Sequence, residues 1–274
     1  MIFVKEGEKP GNTVTIMGGV HGDEICGVQA VEKAIESLSI ERGRVYFILA
    51  NLEAIERGVR QVDVNMNRVF RPFEELSEQE KSSYELKRAK AIMPFLNESV
   101  ALLDVHSSMS KESTPFIICE PHSFHIAQML PFPIRSHGWD YIERGGTDYF
   151  VNNNPHKGNG ICVECGYHQD PEAPKRAYDS IITFLKIMDI ISGKEELKET
   201  KNQREIYASY IYKTKRNFTI DREFSDFEPV MKGKFLGYDG QTPVFAPFDG
   251  VIIFARNCKD PNKEAFIMGK EKIN

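Results

Sequence analysis

Apolar and polar positions alternate along the first 190 residues or so in the manner of strands that are followed by helices. Short apolar runs predict strands, most of them buried on both faces, at residues 13–17, 44–51, 101–106, 116–119 and 161–165. Helical spacing or a helix-prone composition predicts helices at residues 24–38, 72–97, 123–130 and 171–191. This order predicts an α/β sandwich around a mostly parallel or mixed sheet.

The pattern changes after a polar run at residues 192–201. Beyond that run, alternating segments such as 205–212 and 250–254 are punctuated by glycines and Asp-Gly pairs, which is typical of a small β domain. The polar run has the character of a linker. We therefore expect two domains, at residues 1–195 and 203–274.

Composition excludes several classes of function. The net charge of -5 provides no basic field for nucleic acid or anionic lipid, so neither partner is expected. No apolar run is long enough to span a bilayer, and the N-terminus turns charged too early for a signal peptide, which predicts a cytoplasmic protein. Five scattered cysteines, with Cys162 and Cys165 inside a predicted strand, favour free thiols over a disulfide framework or a zinc ribbon.

A histidine and a glutamate follow the first predicted strand. His21 and Glu24 lie three residues apart, so at a helix start they would share one face and could point at one ion. The alternative is an ordinary strand-turn-helix junction, in which Asp23 and Glu24 only complement the dipole of the helix. A third ligand would favour the metal site.

His106 is the candidate for that third ligand, because it ends the predicted strand at residues 101–106. Ligands of open α/β sheets gather at the carboxyl ends of strands. Two imidazoles and one carboxylate with an open fourth position are typical of catalytic zinc. His106 alone could equally be a buried structural histidine. Asp104, on the same strand face, is either a carboxylate that supports a metal ligand or a structural residue.

Glu164 lies in the middle of an apolar strand, where a carboxylate is costly unless it has a partner. A neighbouring metal would give it the role of a general base, whereas an ion pair with a lysine or arginine is the alternative. Arg60 could polarise a substrate carbonyl, and Asn67 with Arg68 could bind a carboxylate. Taken singly, each arginine could also be a surface or ion-pair residue.

These motifs, in this order and at this spacing, resemble the succinylglutamate desuccinylase/aspartoacylase family, which is related to the zinc carboxypeptidases. The resemblance spans residues 14–190. It implies a zinc-carboxypeptidase-like α/β/α sandwich with a mixed sheet, and a small C-terminal β domain that caps the site. The implied roles are one Zn²⁺ per chain on His21, Glu24 and His106, Glu164 as general base and acid, Arg60 on the scissile carbonyl, and Asn67 and Arg68 on a substrate carboxylate.

The resemblance also implies an activity, the zinc-dependent deacylation of a small N-acyl amino acid of the N-acetyl or N-succinyl type. A zinc carboxypeptidase that acts on short or modified peptides is the alternative, because it would use the same residues with a different pocket. A binding protein with a degenerate site is disfavoured, since every chemical residue is present. The acyl group, the amino acid and the oligomeric state stay open, a homo-oligomer included.

Two departures from the family pattern leave the substrate undetermined. Aspartoacylases carry an arginine shortly before the catalytic glutamate, and it grips the side-chain carboxylate of the amino acid. This chain has Asn154 near that place, with His156 and Lys157 as the nearest cationic residues. A tyrosine that those enzymes use near the end of the β domain is also missing, and Lys259 stands closest. N-acetylaspartate is therefore not the expected substrate.

Overall fold

The computed structural model describes residues 1–272. The α-helices are α1 (Ile25–Ser37), α2 (Leu52–Arg57), α3 (Glu78–Ser82), α4 (Tyr84–Glu98), α5 (Phe124–Ala127), α6 (Trp139–Ile142), α7 (Thr147–Asn153) and α8 (Ala173–Ile187). The strands are β1 (Ile2–Glu6), β2 (Lys9–Gly18), β3 (Arg42–Leu49), β4 (Ala101–Ser108), β5 (Phe116–Cys119), β6 (Ile134–His137), β7 (Asn159–Tyr167), β8 (Arg204–Lys213), β9 (Phe218–Ile220), β10 (Glu228–Val230), β11 (Phe235–Asp239), β12 (Thr242–Phe245), β13 (Gly250–Ile253) and β14 (Glu264–Glu271).

Eleven strands form one mixed sheet in the order β1-β3-β2-β4-β7-β5-β6-β8-β14-β13-β10, and β12-β11-β9 form a small second sheet. Strands β3, β2, β4 and β7 run parallel to one another, whereas β5 runs antiparallel to β7. Helices α1 and α8 pack on one face, and α4 and α7 pack on the other. This architecture confirms the predicted α/β/α fold with a mixed sheet and a separate small C-terminal sheet.

The C-terminal strands also extend the large sheet. β8 pairs in parallel with β6, from Ile134 opposite Arg204 to His137 opposite Tyr207, and β14, β13 and β10 continue from β8. The division into residues 1–195 and 203–274 stays a prediction, and its last two residues lie outside the described part of the chain.

The helix-prone stretch at residues 72–97 forms two helices rather than one. Ser83 lies between α3 and α4 in an extended conformation, and its hydroxyl accepts a hydrogen bond from the Leu86 N–H at 3.1 Å. A serine in this position caps the start of a helix, so α4 begins at Tyr84 instead of continuing α3.

Three parallel strands end at the same edge of the sheet and position the chemical residues that the sequence analysis singled out. His21 and Glu24 follow β2, whereas His106 lies on β4 directly opposite Glu164 on β7. Helix α1 lies very close to β4, because a Cβ atom on Gly27 would lie only 2.4 Å from the Val105 carbonyl oxygen. This close contact brings the start of α1, and with it Glu24, next to His106.

Candidate metal and substrate site

The structure brings the three predicted metal ligands together. His21 Nδ1 lies 2.7 Å from Glu24 Oε1, and His106 Nδ1 lies 2.7 Å from Glu24 Oε2. The three residues expose at most 4% of their surface, and their ligand atoms lie within 4.8 Å of one another. Two imidazole nitrogens and one carboxylate therefore converge in a nearly dry environment.

The far side of the His21 ring determines which nitrogen carries the proton. Asn65 Oδ1 accepts a hydrogen bond from the Asn67 N–H at 2.9 Å, which identifies this atom as the amide oxygen. His21 Nε2 lies 2.9 Å from the same oxygen and must therefore donate to it. In neutral His21 the other nitrogen, Nδ1, then points a lone pair at the carboxylate of Glu24.

His106 repeats this arrangement. Its Nε2 lies 3.0 Å from Asp104 Oδ2, a close ion-pair distance that does not meet hydrogen-bond geometry. The Asp104 carboxylate favours a proton on this nitrogen and leaves Nδ1 facing Glu24. Burial opposes a charge on His106, but the carboxylates of Asp104 and Glu24 outweigh burial and raise the pKa of His106, so in the absence of a metal a proton can lie between His106 and Glu24. A divalent cation such as zinc could take the place of that proton, so the two imidazoles and the carboxylate are a donor set that fits it.

Two further groups contact the carboxylate of Glu24. Arg60 Nη1 donates to Oε1 at 3.1 Å, and the Ser107 N–H donates to Oε2 at 3.3 Å. Burial opposes ionisation of Glu24, but His21 and His106 outweigh burial and hold the pKa of Glu24 well below its usual range. Glu24 is therefore ionised at neutral pH and available as a ligand.

Glu164 is 7% exposed, and its Oε2 atom has no hydrogen-bond partner among residues 1–272. Within the same part of the chain it forms no salt bridge with a lysine or arginine, so the ion pair that the sequence left open is not seen. Burial, reinforced by the charge of Glu24, raises the pKa of Glu164 to about 8. A divalent cation at the neighbouring ligands would act in the opposite direction and favour the carboxylate.

A buried glutamate holds the loop that carries Arg60, Asn67 and Arg68. Glu85, on α4, is fully buried and accepts hydrogen bonds from the Val62 N–H at 2.7 Å and from the N–H groups of the next two residues. Because these bonds fix the backbone of residues 62–64, they orient the side chains on either side toward the site.

Two adjoining cavities lie beside the metal ligands. The larger, of about 370 Å³, runs along residues 107–112 and 223–225, and its volume falls in the range of small-molecule sites, roughly 300–1,000 Å³. The smaller, of about 80 Å³, is lined by Asn67 and Arg68. Residues shared by both cavities are His21, Arg60, Glu164, Phe254 and Arg256.

Arg68 reaches the smaller cavity, but it is already engaged by two carboxylates. Its Nη2 atom donates to Glu143 Oε1 at 2.6 Å, and its Nε and Nη2 atoms donate to the two oxygens of Glu264 at 3.1 and 2.8 Å. Burial raises the pKa of Glu143 to about 7 even though Arg68 opposes the shift. Burial also acts on Glu264, but Arg68 outweighs it and lowers the pKa of Glu264 to about 2. A substrate carboxylate would have to compete with these partners for Arg68.

The residues nearest to the places of the missing family arginine (Asn154, His156 and Lys157) and of the missing tyrosine (Lys259) line neither cavity. Asn154 is buried, and its Oδ1 accepts a hydrogen bond from the His156 N–H at 3.0 Å. His156, Lys157 and Lys259 are exposed. Arg256, which the sequence analysis did not single out, lines both cavities instead. Its sequence signal is weak, since it is a single arginine that follows the predicted strand at 250–254 and belongs to no motif.

Two other expectations concern the rest of the chain. All five cysteines are buried and free, as the sequence predicts. Among residues 1–272 no helix combines the length and the hydropathy needed to cross a bilayer.

Comparison with known proteins identifies relatives of this site. Residues 10–138, which include His21, Glu24 and His106, match the succinylglutamate desuccinylase/aspartoacylase catalytic domain. A probable aspartoacylase of Prochlorococcus marinus is 28% identical over 202 residues, which cover 69% of this chain and 64% of the relative. The chain therefore spans slightly less than two thirds of that relative.

Longer matches agree with this one. A succinylglutamate desuccinylase of Vibrio cholerae is 26% identical over 274 residues, which cover 90% of this chain and 76% of that protein. The crystal structure of a succinylglutamate desuccinylase/aspartoacylase from Rhodobacter sphaeroides superposes with a TM-score of 0.75 at 18% identity, covering 100% of this chain and 89% of that one. The structural match supports the fold described above.

Proposed function

Because the chain belongs to the succinylglutamate desuccinylase/aspartoacylase family, we propose that it is a zinc-dependent amidohydrolase that removes the acyl group from an N-acyl amino acid. One observation carries the proposal: two imidazole nitrogens and a carboxylate converge beside Glu164, a buried acid that has an unpartnered oxygen. A group of this composition suits hydrolysis that is assisted by a metal.

His21, Glu24 and His106 would hold one zinc ion per chain. Bound there, zinc supplies Lewis-acid chemistry, which makes water a nucleophile near neutral pH. The protein's own contribution is to keep both rings turned inward, through Asn65 behind His21 and Asp104 behind His106.

Glu164 moves the protons of the reaction. Its unpartnered Oε2 accepts a proton from the attacking water and later delivers it to the nitrogen of the leaving amine. Its place directly opposite His106, on the neighbouring parallel strand, keeps the carboxylate beside the metal ligands. A divalent cation at these ligands would favour the carboxylate form of Glu164, which is the form that accepts the proton.

Arg60 and the pair Asn67 and Arg68 position the substrate. Arg60 lines both cavities and contacts Glu24, so its guanidinium is placed to polarise the scissile carbonyl and to stabilise the charge that develops on its oxygen. Asn67 and Arg68 orient a substrate carboxylate in the smaller cavity, where that carboxylate displaces a glutamate from Arg68. Glu143, with its raised pKa, is the easier of the two to displace.

The division at residues 195 and 203 belongs to the same proposal. Residues 1–195 supply the metal ligands and Glu164, and residues 203–272 cap the site with Arg256 and Glu264. The cap contributes charge to the substrate cavities rather than ligands for the metal.

Metal content and substrate turnover test the proposal together. Purified protein, after chelation and reloading with zinc, is expected to hold one zinc per chain, and His21→Ala is expected to lose most of it. His125→Ala is the matched control, because this histidine is exposed and remote from the site. Wild type is then assayed against N-acetyl amino acids, N-succinyl amino acids and dipeptides.

The outcomes separate the alternatives. Cleavage of acyl amino acids supports the proposed function. If dipeptides alone are cleaved, the protein is a carboxypeptidase. A folded wild type that binds no divalent metal and gains no activity from any metal would refute the mechanism.

A further inference from the structure

Arg256 lies on the connection between β13 and β14, where the two cavities meet. Its backbone N–H donates to the Ala265 carbonyl at 2.9 Å, and its Nε atom donates to the Glu264 carbonyl at 3.1 Å. These bonds hold the stem of the side chain against β14. Among residues 1–272 no carboxylate lies within 4.0 Å of its guanidinium, so its two Nη groups have no acidic partner in the protein.

The charged side chains next to Arg256 are already paired with one another. Arg68 is bound to both Glu143 and Glu264, so these three side chains together carry no excess positive charge with which to attract an anion. Arg256 is close enough to both glutamates to favour their ionised forms, yet it forms no salt bridge with either. Unlike Arg68, the Arg256 guanidinium is therefore not occupied by a carboxylate within residues 1–272, and its two Nη groups can bind an anion.

The place of Arg256 also differs from that of Arg68. Asn67 and Arg68 line only the smaller cavity, whereas Arg256 faces the larger one as well. Arg60 faces both cavities too, but it is hydrogen bonded to Glu24 at the metal ligands. A substrate that places one carboxylate at Asn67 and Arg68 would therefore meet Arg256 along the rest of its length.

We propose that Arg256 is a specificity-determining residue, which binds a second carboxylate of the substrate through its two Nη groups. The inference rests on the proposed deacylase function and deepens it, since it makes the substrate an N-acyl amino acid with two carboxylates. The second carboxylate belongs either to the side chain of the amino acid or to the acyl group. A planar guanidinium fork matches a carboxylate in both cases.

Two matched pairs of substrates identify the source. N-acetyl-L-glutamate is compared with N-acetyl-L-glutamine for the side chain, and N-succinyl-L-alanine with its succinamoyl analogue for the acyl group. Within each pair the two compounds differ by one carboxylate and hardly in size. Wild type is expected to prefer the acid in one pair, by on the order of 10- to 100-fold in kcat/KM.

Arg256→Met removes the charge and keeps the length of the side chain. It is expected to abolish that preference by slowing the acid substrate far more than the amide analogue, while its zinc content stays at the wild-type value. Arg256→Lys keeps the charge without the fork and should retain part of the preference. Lys259→Met is the matched control, because it removes one positive charge from an exposed position on the same connection.

Three results would overturn the role of Arg256: a wild type with no preference in either pair, an unchanged preference in Arg256→Met, or the same loss in Lys259→Met. If Arg256→Met does not fold, an unchanged preference in Arg256→Lys overturns it instead. If wild type hydrolyses none of the four compounds, the proposed function fails separately. Calorimetric binding of the same compounds to wild type and variants then decides whether Arg256 recognises the second carboxylate.

Discussion

Replacing Glu164 by glutamine separates a chemical role of this residue from a structural one. A buried acid kept for its chemistry should make the fold more stable when it is replaced, whereas an acid that holds the structure together should make it less stable. Glutamine has nearly the same shape as glutamate but cannot carry a proton between water and the leaving amine. We expect turnover to fall by on the order of 10² to 10⁴, the usual contribution of a positioned general base. This corresponds to about 3–5 kcal/mol of transition-state free energy. Zinc content should not change.

The stability effect follows from the pKa of Glu164, which burial raises from 4.5 to about 8. Between these two pH values the native state holds a proton that the unfolded chain has lost, so the free energy of unfolding falls as the pH rises. The slope for one such group is about 1.4 kcal/mol per pH unit. Glutamine does not titrate, so it removes this pH dependence. In chelated protein at pH 7, the free energy of unfolding of Glu164→Gln should therefore be about 3 kcal/mol larger than that of wild type.

Urea unfolding of chelated protein at a series of pH values from 5 to 8 measures the difference between wild type and variant. The gap should be small near pH 5 and should widen steadily toward pH 8. Glu85→Gln provides the contrast, because Glu85 accepts backbone hydrogen bonds and its replacement should destabilise the fold. Wild-type turnover in zinc-loaded Glu164→Gln, or a loss of stability that does not depend on pH, would refute the reasoning.

Two further substitutions test the surroundings of the site. Arg68→Lys loses the forked hydrogen bond to Glu264. We expect steady-state kinetics to show a higher KM and a lower kcat, and urea unfolding to show a loss of stability of about 1–3 kcal/mol. A wild type that cleaves the methyl ester of its substrate as well as the free acid would show that Arg68 is no carboxylate clamp. Gly27→Ala should weaken zinc binding and lower the free energy of unfolding by about 1–3 kcal/mol, because its Cβ would lie 2.4 Å from the Val105 carbonyl oxygen. Competition with a chelator measures the change in zinc binding. Gly58→Ala, whose Cβ meets nothing within 4 Å, should cost only about 1 kcal/mol through its positive φ and should keep zinc.

The convergence of His21, Glu24 and His106 could be predicted from sequence, because local geometry determines most of it. His21 and Glu24 lie in the turn between β2 and α1, just before the helix rather than inside it, and the Glu24 N–H donates to the His21 carbonyl at 3.3 Å. His106 lies near the carboxyl end of β4, which continues two residues further than its apolar run predicts. The parallel register that places His106 opposite Glu164 follows from the α/β pattern only in outline. The residues that orient the two rings differ in how far the sequence indicates them. Asp104 shares a predicted strand with His106, whereas Asn65 lies 44 residues from His21 and no local pattern relates the two.

The surroundings of Arg68 could not be predicted in this way. Its partners, Glu143 and Glu264, lie 75 and 196 residues away along the chain, and no local pattern relates them to it. Arg256 is hidden for the same reason, since its meaning depends on which cavities it faces. The polar run at residues 192–201 looks like a linker between domains, yet the strand that follows it, β8, pairs with β6 in the large sheet. This pairing joins Ile134 to Arg204, and no local pattern predicts a contact between residues so far apart along the chain.

The proposed chemistry and the proposed specificity depend on different parts of the chain, which differ in how tightly they are packed. The metal ligands and Glu164 lie at the ends of central strands that are packed on both faces, where small shifts are costly. Arg256 lies on a connection between two C-terminal strands, and loops of this kind tolerate change. Altering residues 254–257 should therefore change which carboxylates are accepted while the zinc site stays intact. If such changes instead abolished zinc binding, the separation between the candidate metal ligands and the β13–β14 connection would be wrong.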